Sequence, residues 1–247
     1  MLLVLKVSGV AFDPGAGEEE SDNFIANLAT VMARLHCNYR LAITIGGGTQ
    51  ARALIARAMT LGLDPVRSSK LGADIGLING RLMHAGLIGA GVTCAEEPIM
   101  EFEEAAAAVR LGRVPILYGY WPGLTSDSVA ALFASYMKAD LMVKLSQVSG
   151  VFTDDPRTDP HATVVNVTSP ADLLSLAQRY DSRAPGASFV IDMVAIKTLA
   201  VARISLLIQH WGAVESIEQN ISAIKDANYG LIDGTLVSSD QSRVARD

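Results

Sequence analysis

Residues 115–160 decide the fold, and they read PILYGYWPGLTSDSVAALFASYMKADLMVKLSQVSGVFTDDPRTDP. The apolar run from Pro115 to Tyr118 predicts a buried strand, and the Pro and Gly that follow predict a turn. Apolar side chains then recur at helical spacing from Val129 to Met137. Thr125 or Ser126 is the predicted N-cap of that helix.

A second strand and a second polar loop follow this helix. Leu141 to Val143 predict the strand, Lys144 comes directly after it, and Val151 to Pro156 form the polar loop. This order places two polar loops at one edge of a sheet, and open α/β sheets bind their ligands beyond the carboxyl ends of their strands. The alternative is that both are ordinary surface loops.

Two segments of this stretch carry a resemblance to a known family. PGLTSDSVAALFASYMKADLMV and SGVFTDDPRTDPHA resemble the core of the amino-acid-kinase superfamily, and they are most similar to its uridylate kinases of the archaeal type. The resemblance runs from Met1 to about Gly230. It implies a cytoplasmic enzyme of pyrimidine biosynthesis that moves the γ-phosphoryl group of ATP to UMP, giving UDP, with Mg²⁺ as a cofactor.

The alternation of strand and helix patterns predicts an α/β fold, a three-layer α/β/α sandwich around a mostly parallel sheet. We expect one domain over residues 1–247. The resemblance implies an acceptor-binding lobe over about 1–140 and a nucleotide-binding lobe over about 141–237. From residue 61 to residue 99, the sequence predicts a connection over 61–71, a helix over 71–87 and a strand over 92–99.

The composition of the chain argues against nucleic acid and membranes as partners. The chain has 247 residues, half of them hydrophobic, and a formal net charge of −6. An acidic protein is not attracted to nucleic acid or to anionic membranes. No stretch reaches about 18 consecutive apolar residues, the length that a membrane-spanning helix needs. We expect small-molecule nucleotides as partners, and the resemblance implies a homo-oligomer, a hexamer.

The first strand ends in Lys6-Val7-Ser8-Gly9, a form that the family uses after its first strand. The resemblance implies that Lys6 contacts the transferring phosphoryl group and that Ser8 and Gly9 bind ATP. A fixed cation stabilises the charge that spreads over the phosphoryl oxygens. The alternative for Lys6 is a solvated lysine near a strand end.

A second glycine-rich turn follows the predicted strand Leu41 to Ile45. Gly46, Gly47 and Gly48 precede a helix, an arrangement that exposes backbone N–H groups to a phosphate. Arg52 has the spacing of the family motif GGGxxxR, and a guanidinium binds phosphate with its two-pronged fork. The alternatives are a tight turn without a ligand and a solvated arginine.

The resemblance assigns the remaining site residues. The catalytic residues are Lys6, Asp192 and Lys197, and the ATP-binding residues are Ser8, Gly9, Phe152 and Asp155. The acceptor-binding residues are Gly46, Gly47, Gly48, Arg52, Asp74, Thr125, Ser126 and Asp127. No residue is assigned to a resident protein metal site. The alternative for the aspartates is capping and turn formation, which this residue type does well.

The sequence departs from the family at four positions. Gly80 and Met83 replace a threonine and an asparagine of the acceptor segment, and neither Gln147 nor Ser149 supplies the carboxylate that most members carry there. These departures keep two other functions open. One is a kinase of the same fold for another small phosphate or carboxylate acceptor, and the other is a non-catalytic relative that binds nucleotides or oxyanions.

Overall fold

The computed structural model describes residues 1–13, 18–119, 121, 123–154, 159, 161–180 and 190–240. The strands are β1 (Leu2–Val7), β2 (Arg40–Ile45), β3 (Ile116–Leu117), β4 (Leu141–Ser146), β5 (Val167–Thr168), β6 (Ser205–His210) and β7 (Thr235–Val237). The helices are α1 (Glu18–His36), α2 (Gly48–Thr60), α3 (Pro65–Gly89), α4 (Phe102–Arg110), α5 (Ser126–Met137), α6 (Pro170–Tyr180), α7 (Met193–Ala202) and α8 (Ser216–Lys225).

The described strands form one sheet in the order β3-β2-β1-β4-β6-β7-β5. All neighbours are parallel except β6 and β7, which pair antiparallel. Helices cover both faces, so the predicted three-layer α/β/α sandwich is confirmed. The central strands are apolar on both faces because both are buried, as parallel sheets require.

Alternate residues of each strand serve different cores. Leu3 and Leu5 of β1 pack with α1, α3 and α8 on one face. Leu2 and Val4 pack with α4, α5, α6 and α7 on the other face. Lys6 continues the second series, so its side chain leaves the sheet on the face that α5 covers.

The chain reverses its direction across the sheet at β1. From β1 it moves to β2 and β3 on one side, and β4 then pairs with the opposite edge of β1. The loops after β1, β2 and β4 therefore lie together at one edge of the sheet. Crevices of this kind, at the carboxyl ends of strands where the strand order reverses, are where open α/β sheets bind ligands.

Three local expectations differ from the structure. The predicted connection over 61–71 holds the start of α3, since Asp64 caps the helix by accepting from the Arg67 N–H at 3.0 Å and Pro65 is its first residue. The predicted strand over 92–99 is absent from the described residues, which keep only isolated bridges at Cys94 and Ile99. Lys144 lies inside β4 and does not follow it.

Candidate active site

The loop after β1 and the loop after β2 touch closely. A Cβ atom on Gly9 would lie 2.1 Å from the backbone nitrogen of Gly48, and Gly48 itself has a φ of +69°. Side chains at these two positions would separate the loops or strain the backbone. A Cβ on Gly46 would lie 2.7 Å from Ser126 Oγ, so the start of α5 completes this meeting point.

Two buried lysines meet one carboxylate beside these loops. Lys6 Nζ lies 3.0 Å from Asp127 Oδ1, and Lys144 Nζ donates a hydrogen bond to Asp127 Oδ2. The side chains of Lys6, Lys144 and Asp127 are 8%, 7% and 13% exposed. Lys6 and Lys144 are register partners on adjacent parallel strands, which explains why both reach the same aspartate from α5.

The three charges change one another's pKa values. Burial opposes the ionisation of Asp127, but Lys144 and Lys6 outweigh it and lower the pKa of this carboxyl to about 2. Burial lowers the pKa of Lys144 to about 8, against the opposing effect of Asp127 and with Lys6 adding to the decrease. The carboxylate is therefore ionised throughout the neutral range, and Lys144 exchanges its proton near pH 8 in the free protein.

Asp192 joins the first turns of two helices. It caps α7 by accepting from the Ala195 N–H at 2.9 Å, and it also accepts from Thr125 Oγ1 at 2.5 Å and from Ser128 Oγ at 2.8 Å. Of the two predicted caps, Thr125 and Ser126, it is Thr125 that caps α5, by accepting from the backbone N–H groups of Asp127 and Ser128. Asp127 and Asp192 thus both hold α5 in place, Asp127 through contacts with two lysines and Asp192 through hydrogen bonds from two hydroxyl groups.

The N-terminus of α2 already holds a carboxylate of the protein. Asp13 Oδ2 accepts from the Thr49 N–H at 2.9 Å and from Thr49 Oγ1 at 2.6 Å, and Asp13 is 5% exposed. The Gly46–Gly48 loop that leads into this helix is the predicted phosphate cradle. The structure thus shows that this place accepts a carboxylate, and that the N–H groups of Thr49 and Gln50 in the first turn donate to it from within the chain.

Two predicted acceptor-binding side chains point to solvent. Arg52 on α2 and Asp74 on α3 are both exposed, and neither has an ion pair with another described residue. Arg52 lies one turn into α2, close in sequence to the Gly46–Gly48 loop, so its long side chain can reach a ligand there. Thr125 and Ser126 lie at the same edge, at the start of α5.

The predicted ATP-binding residues are spread over the loops after β1 and β4. Ser8 is half-buried, and its N–H donates to the Leu145 carbonyl at 3.1 Å, which ties the loop after β1 to β4. Phe152 is half-buried and forms an isolated bridge with Val164. Asp155 lies outside the described residues.

Lys197 stands apart from the cluster of Lys6, Asp127 and Lys144. It is exposed on α7 and lines a shallow cleft with Ser169 and Ser238. Ser169 and Ser238 follow β5 and β7, whose direction is opposite to that of β4. The cleft therefore opens at the end of the sheet opposite to the one where β1, β2 and β4 have their carboxyl ends. No ion pair or hydrogen bond joins Lys197 to another described residue.

The family departures have structural explanations on α3. Gly80 is buried, and a Cβ there would lie 3.3 Å from Pro98, while Met83 is fully buried in the core. These positions therefore pack α3 onto the sheet. A polar contact to the glycine loop comes from Asn79 instead, whose Nδ2 donates to the Gly46 carbonyl at 2.9 Å. Gln147 and Ser149 are exposed after β4.

Sequence reasoning missed Lys144, Asp13 and Asn79. A lysine inside an otherwise apolar strand was the available signal for Lys144, because a buried charge needs a partner. Asp13 and Asn79 gave no signal, since each contacts a loop more than 30 residues away in the chain.

Neither a metal cluster nor a membrane span emerges from the described parts of the chain. No group of three or more His, Cys, Asp or Glu side chains there could hold a metal ion. No helix within these ranges has the length and apolar character needed to cross a membrane.

The chain is similar to known proteins along most of its length. The model of the amino acid kinase family matches residues 1–210. A uridylate kinase from Methanosarcina acetivorans is 32% identical over 208 residues, which are 84% of this chain and 86% of that protein. A uridylate kinase from Methanocella arvoryzae is 31% identical over 94% of this chain and 99% of its own length.

The solved structures that resemble this chain include a uridylate kinase and a UMP kinase. The uridylate kinase of Archaeoglobus fulgidus superimposes with a TM-score of 0.79 at 27% identity, covering 96% of this chain and 100% of that one. The UMP kinase of Bacillus anthracis has a TM-score of 0.74 at 19% identity, covering 97% and 96%, and it supports the fold. On the family match and these relatives together, the chain belongs to the amino acid kinase family.

Proposed function

We propose that this protein is an ATP-dependent uridylate kinase, which transfers the γ-phosphoryl group of ATP to UMP and releases ADP and UDP. The observation that carries the proposal is the buried ion pair of Lys6 and Asp127 at the edge where both glycine loops end. It occurs in a chain that resembles uridylate kinases along most of its length.

Phosphoryl transfer requires that the two substrates are held in position and that the charge on the phosphoryl oxygens is stabilised. In the transfer, the bond from the γ-phosphorus to the bridging oxygen of ADP breaks, and a bond to a phosphate oxygen of UMP forms. The acceptor oxygen is already anionic, so no general base is needed. Lys6 meets the charge on the phosphoryl oxygens, and Asp127 holds its ammonium group in place. The proposed role of Lys197 is to turn from its cleft toward Asp192 and contact ATP.

The two ligands approach from the two halves of the sheet. We assign the acceptor to residues of about 1–140, with Gly46–Gly48, Arg52, Asp74 and the start of α5 around it. We assign ATP to residues of about 141–237, with Phe152 and Asp155 contacting it beside Ser8 and Gly9. The strand order supports this division, because β1, β2 and β3 lie on one side of the β1–β4 pairing and β4 to β7 on the other.

We propose that Mg²⁺ binds together with the phosphates of ATP. Mg²⁺ commonly uses one or two protein carboxylates and completes its shell with phosphate oxygens and water. Asp127 is committed to two lysines, and half-buried Asp192 at the same edge is a carboxylate that could hold the ion. When bound, Mg²⁺ supplies neutralisation of phosphate charge.

We also propose that the protein is a cytoplasmic homo-oligomer, with the hexamer that the resemblance implies. An apolar stripe on α3 supports self-association. Ile78 and Leu82 are 53% and 49% exposed, and Ala85 and Gly89 continue the stripe at heptad spacing. A second copy of α3 could pack closely there, because small residues let helices approach.

One observation favours a second function. The Asp13 carboxylate sits at the N-terminus of α2, where the phosphate of UMP is expected to bind. A site that accepts an internal carboxylate could serve a kinase of the same fold whose acceptor is a carboxylate or another small phosphate.

A coupled assay of ADP release tests the proposal. The acceptors are UMP, CMP, small organic phosphates and amino acids, each with ATP and Mg²⁺. We expect release with UMP well above that with the other acceptors. Release with a carboxylate acceptor and none with UMP would support the second function, and no release with any acceptor would reject both kinases.

A further inference from the structure

Lys144 has a position that a purely structural lysine rarely occupies. It lies on β4, a central strand flanked by β1 and β6, and its side chain is 7% exposed. The preceding residue on the same face, Met142, is fully buried in the apolar core. Burying an ammonium group is costly unless the protein or a ligand compensates for the lost water.

The compensation within the protein is incomplete. Lys6 and Lys144 share one carboxylate, that of Asp127, so the direct contacts leave one positive charge in excess. Asp192 is the next negative group, and it favours the charged form of Lys144. Its oxygens, however, bind two hydroxyls and a backbone N–H group, not the lysine. The pair of ammonium groups thus suits a further anion.

A third polar residue continues this row on the sheet. Thr44 of β2 is the register partner of Lys6, as Lys144 of β4 is on the other side. Thr44 is fully buried, and its hydroxyl has no hydrogen-bond partner among the residues the structure describes. The row Thr44–Lys6–Lys144 therefore crosses three strands at the end of the apolar face, next to the loops that receive the ligands.

We propose that Lys144 contacts the transferring phosphoryl group together with Lys6, with Asp127 holding the two ammonium groups side by side. This inference rests on the proposed kinase function. Both lysines donate hydrogen bonds to the phosphoryl oxygens, and neither gives up its proton. In the transition state these oxygens carry more of the spread charge, which two fixed cations stabilise better than one.

Three variants test the role of Lys144. Lys144→Met removes the charge and keeps the length, Lys144→Arg restores the charge, and Lys70→Met removes an exposed lysine of α3 as the matched control. We expect Lys144→Met to lower kcat by about a hundredfold and to change the KM for UMP by less than about threefold. Lys144→Arg should recover at least about a tenth of the wild-type kcat, and the control should match the wild type.

The pH profile separates a cation at the phosphoryl group from a merely structural lysine. Above its pKa of about 8 in the free protein, Lys144 is neutral. The wild-type kcat/KM should therefore fall as the pH rises through that value, because the pH dependence of kcat/KM reports the pKa values of groups in the free enzyme. Lys144→Arg should shift this fall to higher pH. An unchanged fall in the arginine variant would overturn the proposal.

Binding of ATP without an acceptor keeps the two proposals apart. If the wild type does not phosphorylate UMP, the proposed function fails, and calorimetric titration with ATP still tests Lys144. We expect Lys144→Met to bind ATP at least about tenfold more weakly than the wild type and Lys70→Met do. Wild-type binding and turnover in a folded Lys144→Met protein would overturn the inference, and if that variant does not fold, the pH profile of Lys144→Arg decides.

Discussion

Lys6, Asp127 and Lys144 illustrate how single residues bring the two halves of the chain together. Lys6 lies on the first strand, Asp127 opens α5, and Lys144 follows 17 residues later on β4. Each charge is buried, and the one carboxylate of Asp127 serves both lysines. Removing one member therefore leaves the remaining charges in an unfavourable buried environment.

Lys6→Met should lower kcat more than it raises KM. In the proposed mechanism Lys6 meets charge that develops in the transition state, so its loss should cost about a hundred- to a thousandfold in kcat. Steady-state kinetics with varied ATP and UMP measure both constants. A Lys6→Met protein with near-normal kcat would mean that this lysine only neutralises Asp127.

Arg52→Ala should weaken the binding of UMP and leave that of ATP nearly unchanged. Charge-assisted hydrogen bonds contribute about 1.5–3 kcal/mol, which corresponds to about a ten- to hundredfold change in Kd. Arg57→Ala, which removes another exposed arginine of α2 farther from the glycine loop, is the matched control. Calorimetric titration decides, and equal Kd values for UMP in the Arg52→Ala variant and the wild type would contradict the assignment.

Lys6 and Asp127 were selected through the family resemblance, whereas Lys144 gave only the signal of a charge inside an apolar strand and Asp13 gave none. The first pair belongs to local motifs, a strand end and a helix start, whose chemistry is visible in a few consecutive residues. The importance of Lys144 comes from the register of β4 on β1, and that of Asp13 from its contact with Thr49, 36 residues later. Such contacts are set by tertiary packing, which no local pattern encodes.

At the scale of helices and strands, the caps of α5 and α7 act as one unit. Asp192 accepts a hydrogen bond from its own helix and two from α5, through Thr125 and Ser128. Among the residues that the structure describes, the side chain of Asp64, the N-cap of α3, accepts one backbone hydrogen bond and otherwise has only an exposed ion pair with Arg67. The two caps therefore differ in how many elements they join.

Asp192→Ala should destabilise the protein more than Asp64→Ala does. A lost N-cap costs about 1 kcal/mol, and the two hydroxyl contacts raise the loss at Asp192 to about 2–3 kcal/mol. For a chain of this size, we expect decreases in Tm of about 5–10 °C and about 2–4 °C. Thermal unfolding at equal protein concentration measures both, and equal decreases would show that the contacts between α5 and α7 add no stability.

Sequence patterns predicted the long elements well and failed where tertiary contacts decide. Thr125, one of the two predicted caps, caps α5, and Ser169 caps α6 in the same way by accepting from the Asp172 N–H at 3.1 Å. The start of α3 was missed because Gly62 and Pro65 resemble a connection, although a proline suits the first turn of a helix. Residues 92–99 are apolar enough for a strand, but they form isolated bridges only, from Cys94 to Val114 and from Ile99 to Leu117 of β3.

At the scale of the whole molecule, the sheet order places the site where the halves meet. In the order of the sheet, the strands of residues 1–140 occupy the positions up to β1, and those of residues 141–237 occupy the positions from β4 onward. β1 and β4 are neighbours and pair along their length. The β1–β4 pair thus carries both lysines.

The exposed stripe on α3 predicts the last property, self-association. Changing both Ile78 and Leu82 to Glu would place like charges in a helix pair formed by two copies, so we expect this variant to dissociate into monomers while it keeps its fold. Val201→Glu is the control, because Val201 is 88% exposed on α7, on the other face of the sheet. Light scattering at micromolar concentration should give an oligomer for the wild type and the control. A monomeric wild type would reject self-association, and an oligomeric double variant would place the interface elsewhere.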